Sequence, residues 1–246
     1  MKKNTLLEFI KKHTDTIEKC RWVSNAKNKT LTANVAADTK NLLCDLTLNN
    51  WDGFGDAEVG VGNLPKFKRE LTGLCGDDIT TTLNYNDDNT RIIGIDVMDG
   101  RDVFTITTSD LDMIAQSSKL KQTPPINAEI VINDEFKESF LKGKAALPDI
   151  NTFTVSVNKK GELVVIIGFS KINSSRKIMS VKTVDGKNKV AAPIHFRADY
   201  LKDIITSNSE CGESALKVSD NGLCSIEFSS GDFVCKYYLT STEDQD

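Results

Sequence analysis

Apolar residues recur along the chain at two periods, one near 3.6 and one at 2, and the alternation of these periods sets out its elements. Leu6, Leu7, Phe9 and Ile10 fall on one arc of a helix, with Glu8, Lys11 and Lys12 opposite, and Thr5 and Glu8 stand at capping-box spacing at its start. From Lys19 to Leu48, runs such as Thr30–Val35 and Asn41–Leu48 are broken at strand-like intervals by polar turn residues, which predicts antiparallel strands. The segment after Ala57 passes from strand to helix. There Leu64, Phe67, Leu71 and Leu74 line one face, Lys66, Arg69 and Gly73 the other, with Asn63 as cap, Pro65 in the first turn and Gly76 as the stop. Strands follow at Ile79–Tyr85, Arg91–Val97 and Val103–Thr108, joined by turns at Asn86–Asn89 and Asp99–Gly100.

The stretch Ser118–Asn127 fits neither period. Pro124 and Pro125 lack backbone donors and bias the residues before them toward extended geometry, so this stretch reads as a tether. Beyond it the order returns. Asn133 caps a helix with Phe136, Phe140 and Leu141 inward and Glu138 and Lys142 outward. Phe153–Val157 and Leu163–Ile167 flank a turn at Asn158–Gly161, and one strand over Lys177–Val184 ends at Asp185–Gly186. A further helix from about Arg197 buries Tyr200, Leu201, Ile204 and Ile205 while Asp199 and Lys202 face out. Ala215–Val218, Leu223–Phe228 and Phe233–Leu239 close the chain as strands.

The second half repeats the first. Phe9-Ile10 matches Phe140-Leu141, and Val97–Gly100 matches Phe228–Gly231, both at an offset of 131 residues. Asn63–Gly76 matches Arg197–Glu210 at nearly that offset. The pattern predicts an α+β protein of two tandem similar domains, with short helices on one face of antiparallel sheets. The expected divisions are a first domain at 1–117, a connector at 118–128, a second domain at 129–240 and an acidic tail at 241–246.

Composition narrows what such a protein does. Of 246 residues, 39% are hydrophobic and 27% charged, as in a soluble globular protein. No apolar run reaches the ~18 residues that span a bilayer, and the N-terminus lacks the apolar core of a secretory signal, so the protein is expected to stay in the cytoplasm, with no membrane partner. The six cysteines are scattered without a Cys-x-x-Cys pair, which favours reduced, buried thiols over disulfides or zinc. A net charge of −4 would repel nucleic acid unless basic residues gather on one face.

Catalytic motifs fail one by one. Gly60-Val-Gly62 sits at a strand-to-helix junction, but Pro65 stands where a dinucleotide fingerprint needs its third glycine, and no phosphate-binding Gly-x-x-x-x-Gly-Lys-Ser/Thr occurs. His13 and His195 lack a triad setting, and His195, in Pro193–Phe196, reads as a half-buried strand residue. Carboxylates cluster in turns such as Asp87-Asp88. The expectation is a protein without enzymatic activity, cofactor or metal. The basic residues on the four helices, among them Lys68, Lys137 and Arg197, are ordinary solvated residues taken helix by helix. Their equivalent places in a repeat would let one face present them together.

With that order in hand, the chain resembles the DNA polymerase sliding clamps of T-even-like phages. The resemblance rests on Gly161–Lys171, similar to the second-domain hairpin of those clamps, on Asp77-Asp78 after the second helix, and on Phe233–Leu239 with the acidic tail, which also resembles the end of proliferating cell nuclear antigen. The resemblance implies a homotrimeric ring whose helices line a hole around duplex DNA, loaded by an ATP-driven clamp loader and binding the C-terminal hydrophobic peptide of a DNA polymerase. It also implies a platform for other partners, late transcription included. Carried over by position, the pore-facing residues are Lys11, Lys12, Lys66, Arg69, Lys142 and Lys202, with Glu8, Glu138 and Asp199 on the same faces. The partner pocket is Leu42, Leu43, Leu120, Ile126, Leu223, Tyr238 and Leu239. The subunit interface pairs the strand holding Val103, Phe104, Thr105 and Ile106 with the one holding Ile178, Met179 and Val181. The alternative is a β-rich nucleic-acid-binding or virion structural protein of another kind. A single-strand binder would interleave aromatics with basic residues on an exposed sheet, whereas aromatics here are 7% and fall at core-like positions.

Overall fold

Strict alternation of buried and half-buried residues in β2 (Thr30–Ala36) and β3 (Leu42–Asn49) shows how the strands are built, with Leu31, Ala33 and Val35, then Leu42, Cys44, Leu46 and Leu48, turned inward. The structure, a computed structural model, describes residues 1–115, 120, 124–169 and 175–242, and at 185–188 the backbone alone. The chain divides into two compact units. The first comprises Met1–Val35, Cys44–Lys119 and Gly231–Cys235, and the second Ala36–Leu43, Leu120–Ser230 and Lys236–Asp246.

In the first unit α1 (Lys3–Lys11) leads into β1 (Cys20–Asn25), β2 and β3, then β4 (Ala57–Val61), α2 (Leu64–Gly73), β5 (Thr80–Tyr85), β6 (Ile92–Met98) and β7 (Val103–Thr107). The strand orders are β3-β2-β1-β4 and β5-β6-β7, with the resolved pairings antiparallel. Asn63 caps α2, its side chain accepting from Lys66 N at 2.8 Å, and Leu64, Phe67 and Leu71 bury their side chains. The stop comes earlier than Gly76. α2 ends at Gly73 because Leu74 turns extended, and Gly76 instead donates its N–H to the Asp99 carboxylate at 2.7 Å. At α1 the capping box does not form: the helix begins before Thr5, at Lys3, and no side chain caps it.

The second unit repeats this plan. β8 (Ala128–Ile132) precedes α3 (Asp134–Ala146), followed by β9 (Thr152–Val157), β10 (Leu163–Ile167), β11 (Lys177–Ser180), β12 (Thr183–Asn188), β13 (Ile194–Arg197), α4 (Ala198–Ser207), β14 (Ser214–Ser219), β15 (Leu223–Ser230) and β16 (Phe233–Thr240). Its strand orders are β11-β10-β9-β13 and β12-β8-β14-β15-β16. The first matches β3-β2-β1-β4, and β14-β15-β16 matches β5-β6-β7, so the duplication read from sequence is a duplication of topology. Among the described residues of the first unit, the counterpart of β8 is the isolated bridge between Lys2 and Asp78. Asn133 caps α3 through Phe136 N at 2.9 Å. The expected single strand over Lys177–Val184 is two. β11 pairs with β10, whereas β12 pairs with β8, and the chain changes sheets at Val181–Lys182, where Val131 N donates to Lys182 O at 2.8 Å.

In each unit the two helices pack side by side, α1 against α2 and α3 against α4, and α3 touches strands of both sheets of its unit, β8 and β11. Fully burying a side chain such as Phe140 contributes about 1.5–3 kcal/mol. Much of the connector, the last residues of the Gly161–Lys171 stretch and the tail beyond Thr242 lie outside the described residues.

Candidate nucleic-acid interface and docking surfaces

With their apolar stripes turned inward, the helices leave their polar faces outward. On α1 the outward cation is Lys11, 3.7 Å from Glu8. Lys12 does not join it. It is fully buried, with Nζ 5.8 Å from the centre of the Phe233 ring, because the chain leaves the helix at that residue and turns inward. On α2, Lys66, Lys68 and Arg69 are exposed, and Lys66 lies 3.6 Å from Glu70.

On α3, Lys142 is exposed and hydrogen-bonded to Glu138 at 2.5 Å, which holds the Glu138 carboxyl below its ordinary range. Lys137 and Lys144 face inward. Lys137 Nζ donates to Cys211 O at 2.6 Å and Gly212 O at 3.1 Å, and Lys144 Nζ donates to Pro148 O at 2.7 Å and pairs with Asp199 at 3.1 Å. They tie helix to loop, a role that outward-facing helical spacing conceals. On α4, Lys202 is exposed beside Asp203 at 3.7 Å, and Arg197 lies over the Tyr200 ring at 5.5 Å.

The apolar candidates all belong to the second unit, and strand alternation sorts them. Leu42 and Leu239 are core, at 0% and 1% exposure, while Leu43, Leu223 and Tyr238, one residue out of phase with them or at a strand end, are half-buried at the surface. Leu120 is 38% exposed and Ile126 half-buried. A cavity of about 360 Å³ opens in the same unit, lined by Ala191–His195, Asp220–Gly222, Ser241 and Thr242. Of this lining the sequence patterns single out only the Pro193–Phe196 strand, through His195, and give it no functional role. The Asn221-Gly222 turn and the proline-bearing Ala191–Pro193 segment are the only signals that point there. His195 is held by Thr154, Oγ1 to Nδ1 at 2.8 Å, as expected of a half-buried strand histidine.

Both strands named for assembly lie at sheet edges. β7 ends the order β5-β6-β7, and β11 begins β11-β10-β9-β13. Val103 and Ile178 are exposed at 54% and 53%, Thr105 is exposed, and Phe104 and Val181 are half-buried. Ile106 and Met179 are buried at 6% and 5% and belong to their own units' cores. Helices approach both edges closely: a Cβ on Gly73 would stand 3.2 Å from the Phe104 ring, and one on Gly143 would stand 2.7 Å from the Lys177 side chain. Beside β11 a cavity of about 430 Å³ is lined by Phe136, Ile178, Met179 and Val181 among others.

Elsewhere the titratable groups are structural. His13 is buried, donating from Nδ1 to Phe9 O at 2.9 Å and accepting at Nε2 from Trp22 Nε1 at 3.2 Å, and burial lowers its pKa to about 4. Asp99 accepts N–H groups from Gly76, Arg101 and Asp102, which hold its carboxyl well below the usual range. Five of the six free thiols are buried, and Cys75 is exposed.

No family model matches the chain, and no curated protein matches it in sequence. Solved structures do. Proliferating cell nuclear antigen of Entamoeba histolytica matches at a TM-score of 0.73 with 15% identity, over 98% of this chain and 96% of that one. A structure of the C-terminal region of FEN-1 bound to A. fulgidus PCNA matches at 0.72 with 14% identity, over 100% and 98%. The fold is the DNA clamp fold. Because the match runs the whole length of both chains, it takes in both units, and the repeated topology described above is the clamp fold's two similar domains.

Proposed function

We propose that the chain is a sliding clamp that closes as a homotrimer around duplex DNA and tethers a replicative DNA polymerase. The full-length likeness to proliferating cell nuclear antigen carries this reading. The outward helix faces with Lys11, Lys66, Arg69, Lys142 and Lys202 turn toward the duplex, while Lys12 is structural. Contacts from such faces reach phosphates without reading bases, which a ring that must slide requires. The exposed edges of β7 and β11 join copies by continuing one sheet into the next, which removes two open edges from each chain. The domains are 1–117 and 129–240, joined by the connector at 118–128.

Leu43, Leu120, Ile126, Leu223 and Tyr238 receive the hydrophobic anchor of a polymerase C-terminal peptide, and the cavity at Ala191–His195 takes the polar part of that peptide. The A. fulgidus protein binds a C-terminal segment of FEN-1, a partner segment of the same kind. The Gly161–Lys171 stretch favours a phage clamp, acting in the cytoplasm of the infected cell, loaded by an ATP-driven clamp loader and serving late transcription as well.

Two measurements test the reading. Light scattering should give three times 27.1 kDa. Protein closed around a circular duplex should stay bound until one cut linearises the circle, then leave over the ends. A monomer at every concentration, or equal retention on circular and linear duplex, would sink it.

A further inference from the structure

The four helices do not present the same charge. α1 and α2 together carry five basic and two acidic side chains, whereas α3 and α4 carry four basic and five acidic. Burial widens the gap, because Lys137 and Lys144 are 6% and 5% exposed and bound to carbonyl oxygens of their own unit. What remains outward on α3 and α4 is Lys142 and Lys202, each beside a carboxylate, at 2.5 Å from Glu138 and 3.7 Å from Asp203. On α2, Lys68 and Arg69 have no ion-pair partner among the described residues. Of the three exposed α2 cations only Lys66 has a carboxylate beside it, Glu70 at 3.6 Å, so a phosphate nearing α2 meets two cations outside any ion pair, and binding releases the solvent ions around them. One nearing α3 meets Lys142 already paired with Glu138, on a helix whose first turn also holds Asp134 and Glu135.

We propose that α2 of the first unit, through Lys66, Lys68 and Arg69, is the phosphate-contacting element of this protein, and that the helix pair of the second unit passes along the duplex without holding it. This rests on the clamp reading above. In a ring of three copies, three helix pairs out of six then grip the DNA, and the grip is set by α2.

The test closes the protein around a circular duplex, cuts the circle once, and times the departure at 50 and 200 mM NaCl. Three proteins are compared: wild type, Lys66→Ala/Lys68→Ala/Arg69→Ala, and Lys142→Ala/Lys202→Ala, each first shown by light scattering to keep the wild-type mass. The α2 variant should leave at least about threefold faster at 50 mM and lose most of the salt dependence, to which each phosphate contact contributes about a threefold change between 50 and 200 mM. The α3–α4 variant should show a smaller change, and Glu135→Gln/Glu138→Gln should slow departure. Equal or larger acceleration in the α3–α4 variant, with retention on the intact circle unchanged, overturns the inference and leaves the clamp reading standing. Wild type that is not retained on the intact circle overturns the clamp reading, whatever the variants do.

Discussion

Beneath α1 the first unit sets Phe9, His13, Trp22 and Phe67 with ring centres 5.1–6.2 Å apart. Beneath α3 the second sets Phe136, Phe140, Phe153 and Phe196 at 5.4–6.1 Å. The two clusters occupy equivalent places in the repeat and fill them with different chemistry. The second is hydrocarbon throughout. The first contains a hydrogen-bonded chain from the Trp22 indole through the His13 ring to the Phe9 carbonyl. Duplication thus preserved the shape of the space under the helices and not the groups that fill it. A buried polar pair is stable only while both partners keep their protonation state.

The largest effects test whether the clusters carry equal weight. Phe153→Ala and Trp22→Ala each remove a fully buried ring and should cost about 3–5 kcal/mol in urea unfolding at pH 7.5. A loss under about 1 kcal/mol at either site would show that its unit does not rely on that cluster.

Acid should separate the two. In the unfolded chain His13 titrates at its ordinary 6.5, and in the fold near 4. Between these values the unfolded state binds more protons, so the stability that the neutral ring secures is complete above pH 6.5 and is lost as pH falls toward 4. The loss reaches about 3 kcal/mol. Both tryptophans, Trp22 and Trp51, lie in the first unit, so their fluorescence reports that unit alone. His13→Phe should cost about 1–3 kcal/mol at pH 7.5, since Trp22 loses its acceptor, and should flatten the decline between pH 6.5 and 4. An unchanged slope in His13→Phe would place the acid sensitivity elsewhere.

Such contrasts explain which parts of the molecule were legible in its sequence. Helical spacing found the inward residues of α2 and α4, and the caps at Asn63 and Asn133, because both signals are local. β8 went unread because it follows Pro124 and Pro125 and gains its strand geometry from β12 and β14, partners far away in sequence. The break between β11 and β12 leaves no mark, since Val181–Lys182 differ from their neighbours only in which sheet they join. At the candidate interface the charged residues were read as outward by type. That holds for Lys66, Arg69, Lys142 and Lys202, and fails for Lys12, which is buried against an aromatic ring. The cavity at Ala191–His195 assembles from three separated segments, and no single stretch announces it.

The smallest effect concerns the helix starts, where the units differ by charge again. Asn63 and Asn133 make the same bond, the side-chain oxygen accepting from the third backbone N–H beyond, at 2.8 and 2.9 Å. Removing either to Ala should cost about 1 kcal/mol. The first turn of α3 also holds Asp134 and Glu135, whose charges stabilise the exposed N–H groups by about 0.3–1 kcal/mol each, whereas α2 has no acidic residue there. Asn133→Ala therefore leaves a helix end still supported by carboxylates, and Asn63→Ala leaves one with none. The cost at Asn63 should exceed that at Asn133 by a few tenths of a kcal/mol at low salt, and the gap should shrink by 1 M NaCl as the carboxylates are screened. A larger cost at Asn133, or a gap indifferent to salt, would mean that the acids of α3 do not act on its N-terminus. The charge difference between the helix pairs would then reach only what approaches them from outside.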